Sequence, residues 1–165
     1  MKVNNFFKLI IAIAVSEMAG IIGSFFTISA IPTWYAGLAK PALNPPAWVF
    51  GPAWTTLYAL MGVSLFLVWK QHSHILENVR MLRMWKIGIA AFFVQLSLNA
   101  VWSIIFFGLH SPGWALADIA LLWLAIVWTI AVFYKISKPA AYLLLPYILW
   151  VSFASYLNYS IWMLN

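Results

Sequence analysis

Residues 113–134 read GWALADIALLWLAIVWTIAVFY. These twenty-two residues carry a single charge, Asp118, and no proline. A helix rises ~1.5 Å per residue, so this stretch reaches ~33 Å, against a bilayer hydrocarbon core of about 30 Å. A helix on the surface of a soluble domain needs a polar face, and this one has none. The stretch is a membrane span.

Four further runs of the same kind flank it, at about 6–30, 47–69, 85–107 and 140–164. Of their connections, 31–46, 70–84, 108–112 and 135–139, all but 70–84 are punctuated by proline or glycine, and 70–84 carries polar and charged residues instead. The composition agrees: 65% of the 165 residues are hydrophobic and 7% charged, where a soluble domain has roughly 25% charged. The expected fold is all-α, an integral membrane bundle of five transmembrane helices forming one domain over 1–165, with no room for a separate soluble domain. An outer-membrane barrel would show short alternating strands instead. The first run is too long for a signal peptide, carries Glu17 at its centre and has no clear small-x-small cleavage site, so it reads as a retained helix. With no cysteine, disulfides, thiol catalysis and cysteine-ligated metal are excluded.

The basic residues set the expected orientation. Lys2, Lys8, Lys70, Arg80, Arg83, Lys86, Lys135 and Lys138 fall on one side of a five-span chain and only Lys40 on the other. The positive-inside bias puts the N-terminus in the cytoplasm and the C-terminus outside. The net charge of +6 is thus a topology signal, and no nucleic-acid partner is expected.

Polar groups inside the bilayer are costly and point to function. Glu17 lies mid-span in the first helix, either protonated or paired within the bundle. Gln95 and Asn99, one turn apart on the third helix, share a face. Asp118 on the fourth helix and Asn158 on the fifth fall in the outer half with Asn99, as do Trp54 and Tyr58 on the second. Each of Asp118 and Asn158 alone has two readings, a bond between neighbouring helices or a place in a site. Their convergence at one depth reads as a cavity opening outward. Above it runs the 31–46 loop, with Trp34, Tyr35 and four prolines (Pro32, Pro41, Pro45, Pro46). Proline fixes φ and stiffens a loop, so this one reads as a lid or as a rigid connector with interfacial aromatics.

Of the eleven tryptophans, Trp34, Trp69, Trp85, Trp114 and Trp162 sit near span ends, where an aromatic belt accounts for them. Trp123 and Trp128 lie within a span, facing lipid or the bundle. Trp54, Trp102 and Trp150 are candidates to line a pocket, since an indole offers a flat apolar face and an N–H donor. His72, His74 and His110 have no acid cluster nearby, so no metal site is expected. There is no Walker-type loop and no G-x-S-x-G elbow. Five spans without an internal repeat disfavour alternating-access transport.

The run from Trp34-Tyr35 through Lys40-Pro41, followed by Pro45-Pro46-Ala47-Trp48-Val49-Phe50-Gly51-Pro52-Ala53-Trp54, resembles the W-Y-x-x-L-x-K-P…P-P-x-W-V-x-G-P-x-W pattern of the TspO/translocator protein family. Leu98-Asn99-Ala100-Val101-Trp102-Ser103, Gly113-Trp114-Ala115-Leu116-Ala117-Asp118 and Pro146-Tyr147-Ile148-Leu149-Trp150 resemble its third, fourth and fifth helices. The resemblance implies a dimeric protein of the membrane, here a bacterial plasma membrane, in contact with lipid. It implies a lidded pocket that binds porphyrins and some synthetic drug ligands, with porphyrin as ligand and no cofactor. The pocket positions it carries over are Tyr35, Pro45, Phe50, Trp54, Tyr58, Asn99, Trp102, Trp150 and Ala154, with Asp118 matching the fourth-helix acid. It implies a porphyrin receptor or sensor, with two alternatives: light-dependent porphyrin degradation, in which Trp54 and Trp150 take part in the chemistry, and transport of porphyrin or lipid. The cholesterol-recognition pattern of mammalian members ends in a basic residue, and 162–165 supply none. Lys40, the one external cation, is either an interfacial anchor or a partner for porphyrin propionates.

Overall fold

The computed structural model describes residues 4–165. Lys2, counted above for orientation, lies outside the described residues, as does the side chain of His74. Helix α1 spans Asn5–Ala30, α2 Phe50–Gln71, α3 Val79–Ser103, α4 Pro112–Ile136, α5 Lys138–Leu143 and α6 Leu145–Leu164. With short π-helical and 3₁₀ turns these make five spans long and apolar enough to cross a membrane. Among the described residues there is no strand.

Helix starts follow local chemistry. The Asn4 side chain accepts from the Phe6 N–H at 3.3 Å and Asn78 from the Met81 N–H at 3.0 Å, capping the otherwise unpaired first-turn donors. Pro112 opens α4 at a position where its missing N–H costs nothing.

Three boundaries differ from the sequence-based expectation, the first being that of α3, which starts at Val79 behind its Asn78 cap and not at 85. Helix 1 does not stop at Ala30: it continues through a π-helical turn, Ile31–Tyr35. Pro32 was expected to open a loop, but a widened turn relieves the clash of its ring with the preceding carbonyls. The connector is therefore shorter than 31–46, and Trp34 and Tyr35 stand on a helix end. The fifth span is two helices broken at Leu144, where the Leu144 N–H turns back to the Ala141 carbonyl at 3.1 Å. Pro146 cannot donate to the Tyr142 carbonyl four residues back, so the helix restarts with the proline in its first turn.

The spans pack chiefly as α3 on α4 and α1 on α2, with α6 against α4 and α5 against α2. Small residues set how closely they approach. A Cβ on Gly62 would fall 2.5 Å from the Ile13 Cα, and one on Gly20 would fall 2.5 Å from the Tyr58 ring. Bare backbone is what permits α1 and α2 this contact. Near the end that carries Lys70, Arg80, Arg83 and Lys86, hereafter the basic end, the helices make direct contacts beside a smaller apolar cavity of about 240 Å³ between α1, α2 and α3. There Phe92 and Phe133 stack at 6.0 Å, the Ser64 hydroxyl donates to the Ala140 carbonyl at 2.7 Å, and the Trp85 indole donates to Val68 at 2.9 Å. At the opposite end, hereafter the loop end, the bundle opens.

Candidate functional site

The opening is a cavity of about 510 Å³, within the ~300–1,000 Å³ range of small-molecule sites. Helix α1 and its π-turn supply one wall, through Glu17, Gly20, Ser24, Thr27, Ile31 and Tyr35. Helix α2 and the turn before it supply the facing wall, with Trp48, Phe50, Trp54 and Tyr58. The remainder comes from Trp102, Ser103 and Phe107 and from Trp150 and Ala154 of α6.

The apolar heart of the site is an aromatic corner. Trp54 stacks on Tyr58 at 5.6 Å between centroids and meets Trp150 edge-on at 6.4 Å, 89° between planes. Phe50 packs edge-on against Trp150 at 6.1 Å. Edge-to-face pairs at these separations are favourable and hold the rings at fixed angles, so the corner offers two indole surfaces near a right angle. The Trp150 indole N–H is buried without a hydrogen-bond partner.

Behind this wall lies a bonded polar network. The Tyr58 hydroxyl donates to Asn99 Oδ1, and Asn99 Nδ2 donates to the Tyr147 hydroxyl at 3.0 Å. The Trp102 indole donates to Asn158 Oδ1 at 2.9 Å, and Asn158 Nδ2 to the Pro112 carbonyl at 2.7 Å. One bonded chain thus joins α2, α3 and α6, and a second joins α3, α6 and the start of α4.

The mouth is tied down as well. The Tyr35 hydroxyl donates to Asn44 at 2.8 Å. Asn165 clasps the Ala39 backbone in both directions, accepting from its N–H at 2.9 Å and donating to its carbonyl at 3.0 Å. Trp34 stacks on His110 at 4.4 Å, with His110 in the left-handed region at φ 51°.

Of the residues singled out in the sequence, Tyr35, Phe50, Trp54, Tyr58, Trp102, Trp150 and Ala154 share the cavity lining. Three do not. Asn99 is buried behind Tyr58, Asp118 is buried on α4 with one carboxylate oxygen unpartnered, and Pro45 stands in the connector beyond the lining. Lys40 is engaged elsewhere: its ammonium donates to the Ala36 and Leu38 carbonyls at 3.1 and 2.9 Å and sits 4.9 Å over the Tyr35 ring. Gln95 is buried with both amide atoms unpartnered. Among the described residues no group of His, Asp and Glu has metal-binding geometry. Sequence reading named Tyr35 as a pocket residue and Glu17 as a costly polar group but did not assign the rest of the α1 wall to the site. Its signal was present as the polar and small residues Glu17, Gly20, Ser24 and Thr27 at helical spacing, one stripe of the helix.

Fold and site define a multi-pass membrane protein with an aromatic-walled cavity at one end of a five-span bundle. The chain belongs to the TspO/MBR family, whose model matches residues 12–163. It is 45% identical to the Tryptophan-rich protein TspO of Archaeoglobus fulgidus over 161 residues, covering 98% of this chain and 99% of that protein. To the Tryptophan-rich protein TspO of Chlorobaculum tepidum it is 44% identical, covering 95% of each. To the Translocator protein of Homo sapiens it is 41% identical, covering 86% of this chain and 80% of the human protein.

Proposed function

We propose that this protein is a membrane receptor or sensor for porphyrins and related flat apolar ligands. The observation that carries the reading is the corner of Trp54 and Trp150 on a cavity of about 510 Å³. A flat ring system laid on either indole loses water on both of its faces. Each 100 Å² of apolar surface buried contributes roughly 2.5 kcal/mol, less the cost of immobilising the ligand. We further propose that the protein sits in a bacterial plasma membrane with the basic end cytoplasmic, which follows from the placement of its lysines and arginines.

The test is a tryptophan-fluorescence titration of purified protein with protoporphyrin. Saturable quenching is expected, with affinity at least tenfold lower in the double variant Trp54→Ala, Trp150→Ala. Unchanged affinity in that variant would overturn the assignment of the site.

The same indole pair supports a second reading, photo-oxidation of bound porphyrin by dioxygen under light with tryptophan taking part. Illuminated in detergent, the porphyrin absorbance band should then decay faster than with an unrelated membrane protein. That excess should vanish in the double variant Trp54→Phe, Trp150→Phe.

A further inference from the structure

Glu17 is the one charged-type side chain on the cavity lining, which includes no lysine, arginine or histidine. From Ile31 to Glu17 is fourteen residues of α1, ~21 Å along the axis, so the carboxyl marks the deep end of the cavity. Among the described residues no side-chain cation of the bundle lies at this depth. On α1 the nearest is Lys8, nine residues and ~13 Å away. Helix α2 has none before Lys70, α3 none after Lys86, and α6 none at all.

The hydroxyl hydrogens of Tyr58 and of the α1 wall are also committed. The Tyr58 ring lies over Gly20, one turn above Glu17, so close that a Cβ there would clash, yet its hydroxyl donates away from the cavity to Asn99. Ser24 donates to the Ile21 carbonyl at 2.7 Å and Thr27 to the Gly23 carbonyl at 2.9 Å. A carboxyl at membrane depth without an internal cation is costly to keep, and its position on the wall leaves a ligand to supply the missing donor.

We propose that Glu17 is a specificity-determining residue of this cavity. It selects flat aromatic ligands that carry an amine cation or other N–H donor at the end that enters first. The inference rests on the cavity being a ligand site, as proposed above, and adds to it the polarity of the ligand. An apolar body seats against Trp54 and Trp150 while its N–H donor reaches the Glu17 carboxylate. Glu17 is the one carboxylate on the lining and so its strongest acceptor for an N–H donor.

The experiment uses two probes of equal shape, pyrene bearing a dimethylaminomethyl arm and pyrene bearing an isobutyl arm, titrated into the full-length protein in detergent. Energy transfer from tryptophan to pyrene reads binding. A charge-assisted hydrogen bond is among the stronger polar contacts, so wild type should prefer the amine by about tenfold or more. Glu17→Gln should lose that preference while binding the isobutyl probe within twofold of wild type, which also certifies its fold. Glu17→Asp, shorter by one methylene, should keep a reduced preference. Equal affinities of wild type for the two probes, or a preference that survives Glu17→Gln, would overturn the role of Glu17. Failure of wild type to bind either probe would instead overturn the cavity as a site for flat ligands.

Discussion

The wall of the cavity and the network directly behind it use the same residue types to opposite ends. Trp54, Trp150 and Phe50 present ring faces to space, and Trp150 leaves its N–H unpaired. Tyr58 and Trp102, on the same lining, instead reach back with their polar tips to Asn99, Tyr147 and Asn158 in hydrogen bonds that cross between helices. In water the hydrophobic effect would hold such helices together. Between lipid tails that driving force is absent, and packing with interhelical hydrogen bonds takes its place. The network is therefore what lets the wall stay open: helices held by Asn99 and Asn158 need not close over the cavity to be stable.

The contrast breaks most visibly at Asn99. Replacing it with Ala strips partners from two buried phenols at once, and each unsatisfied buried group costs about 1–3 kcal/mol. Asn99→Ala should lower the melting temperature in detergent markedly and weaken ligand binding as a consequence. Trp54→Ala should do the reverse, costing binding at least tenfold while the melting temperature falls less, because the ring is only half-buried and its removal takes no hydrogen-bond partner from a buried group. A thermal-shift series with and without protoporphyrin separates the two. If Trp54→Ala destabilised the free protein as much as Asn99→Ala, the wall would be part of the scaffold.

Gly20 sharpens the comparison because it touches both layers. A Cβ there meets the Tyr58 ring at 2.5 Å, and the ring can yield only by leaving Asn99 or entering the cavity. Gly20→Ala should cost about 1–3 kcal/mol of stability, as overpacking does. It should also reduce the bound pyrene or porphyrin fraction at fixed concentration. Stability lost without any change in binding would place the displaced ring outside the cavity.

How much of this was legible in the sequence depended on whether the signal was local. The α4 span reads directly from an unbroken apolar run, and Trp54 and Trp150 could be named as pocket residues. What failed depended on which neighbour a side chain meets. Asn99 and Trp102 are three residues apart and share a face of α3, yet one lies behind Tyr58 and the other on the lining. Pro32 reads as a helix stop, because the sequence does not show that a π-turn will absorb it. Beyond Tyr35 and Glu17, the α1 wall was passed over because a small residue on a membrane helix signals packing as readily as it signals a site.

Lys40 is the case where local geometry revises a reading of charge. As the lone cation expected outside, it reads either as an interfacial anchor or as a partner for porphyrin propionates. In the structure its ammonium closes the end of helix 1, taking the Ala36 and Leu38 carbonyls and covering the Tyr35 ring. Cations commonly cap the last carbonyls of a helix in this way, and here the cap holds Tyr35 at the mouth. An exposed ion pair with a propionate would add about 0–1 kcal/mol and weaken with salt, too little to draw Lys40 from two hydrogen bonds already made. Lys40→Gln should therefore reduce porphyrin affinity by less than about tenfold, and by the same factor for protoporphyrin as for its dimethyl ester. The effect should not depend on salt, because it acts through the position of Tyr35. A loss confined to the free acid and abolished at high salt would show that Lys40 leaves its carbonyls for the ligand, and would return the lid residue to the binding site.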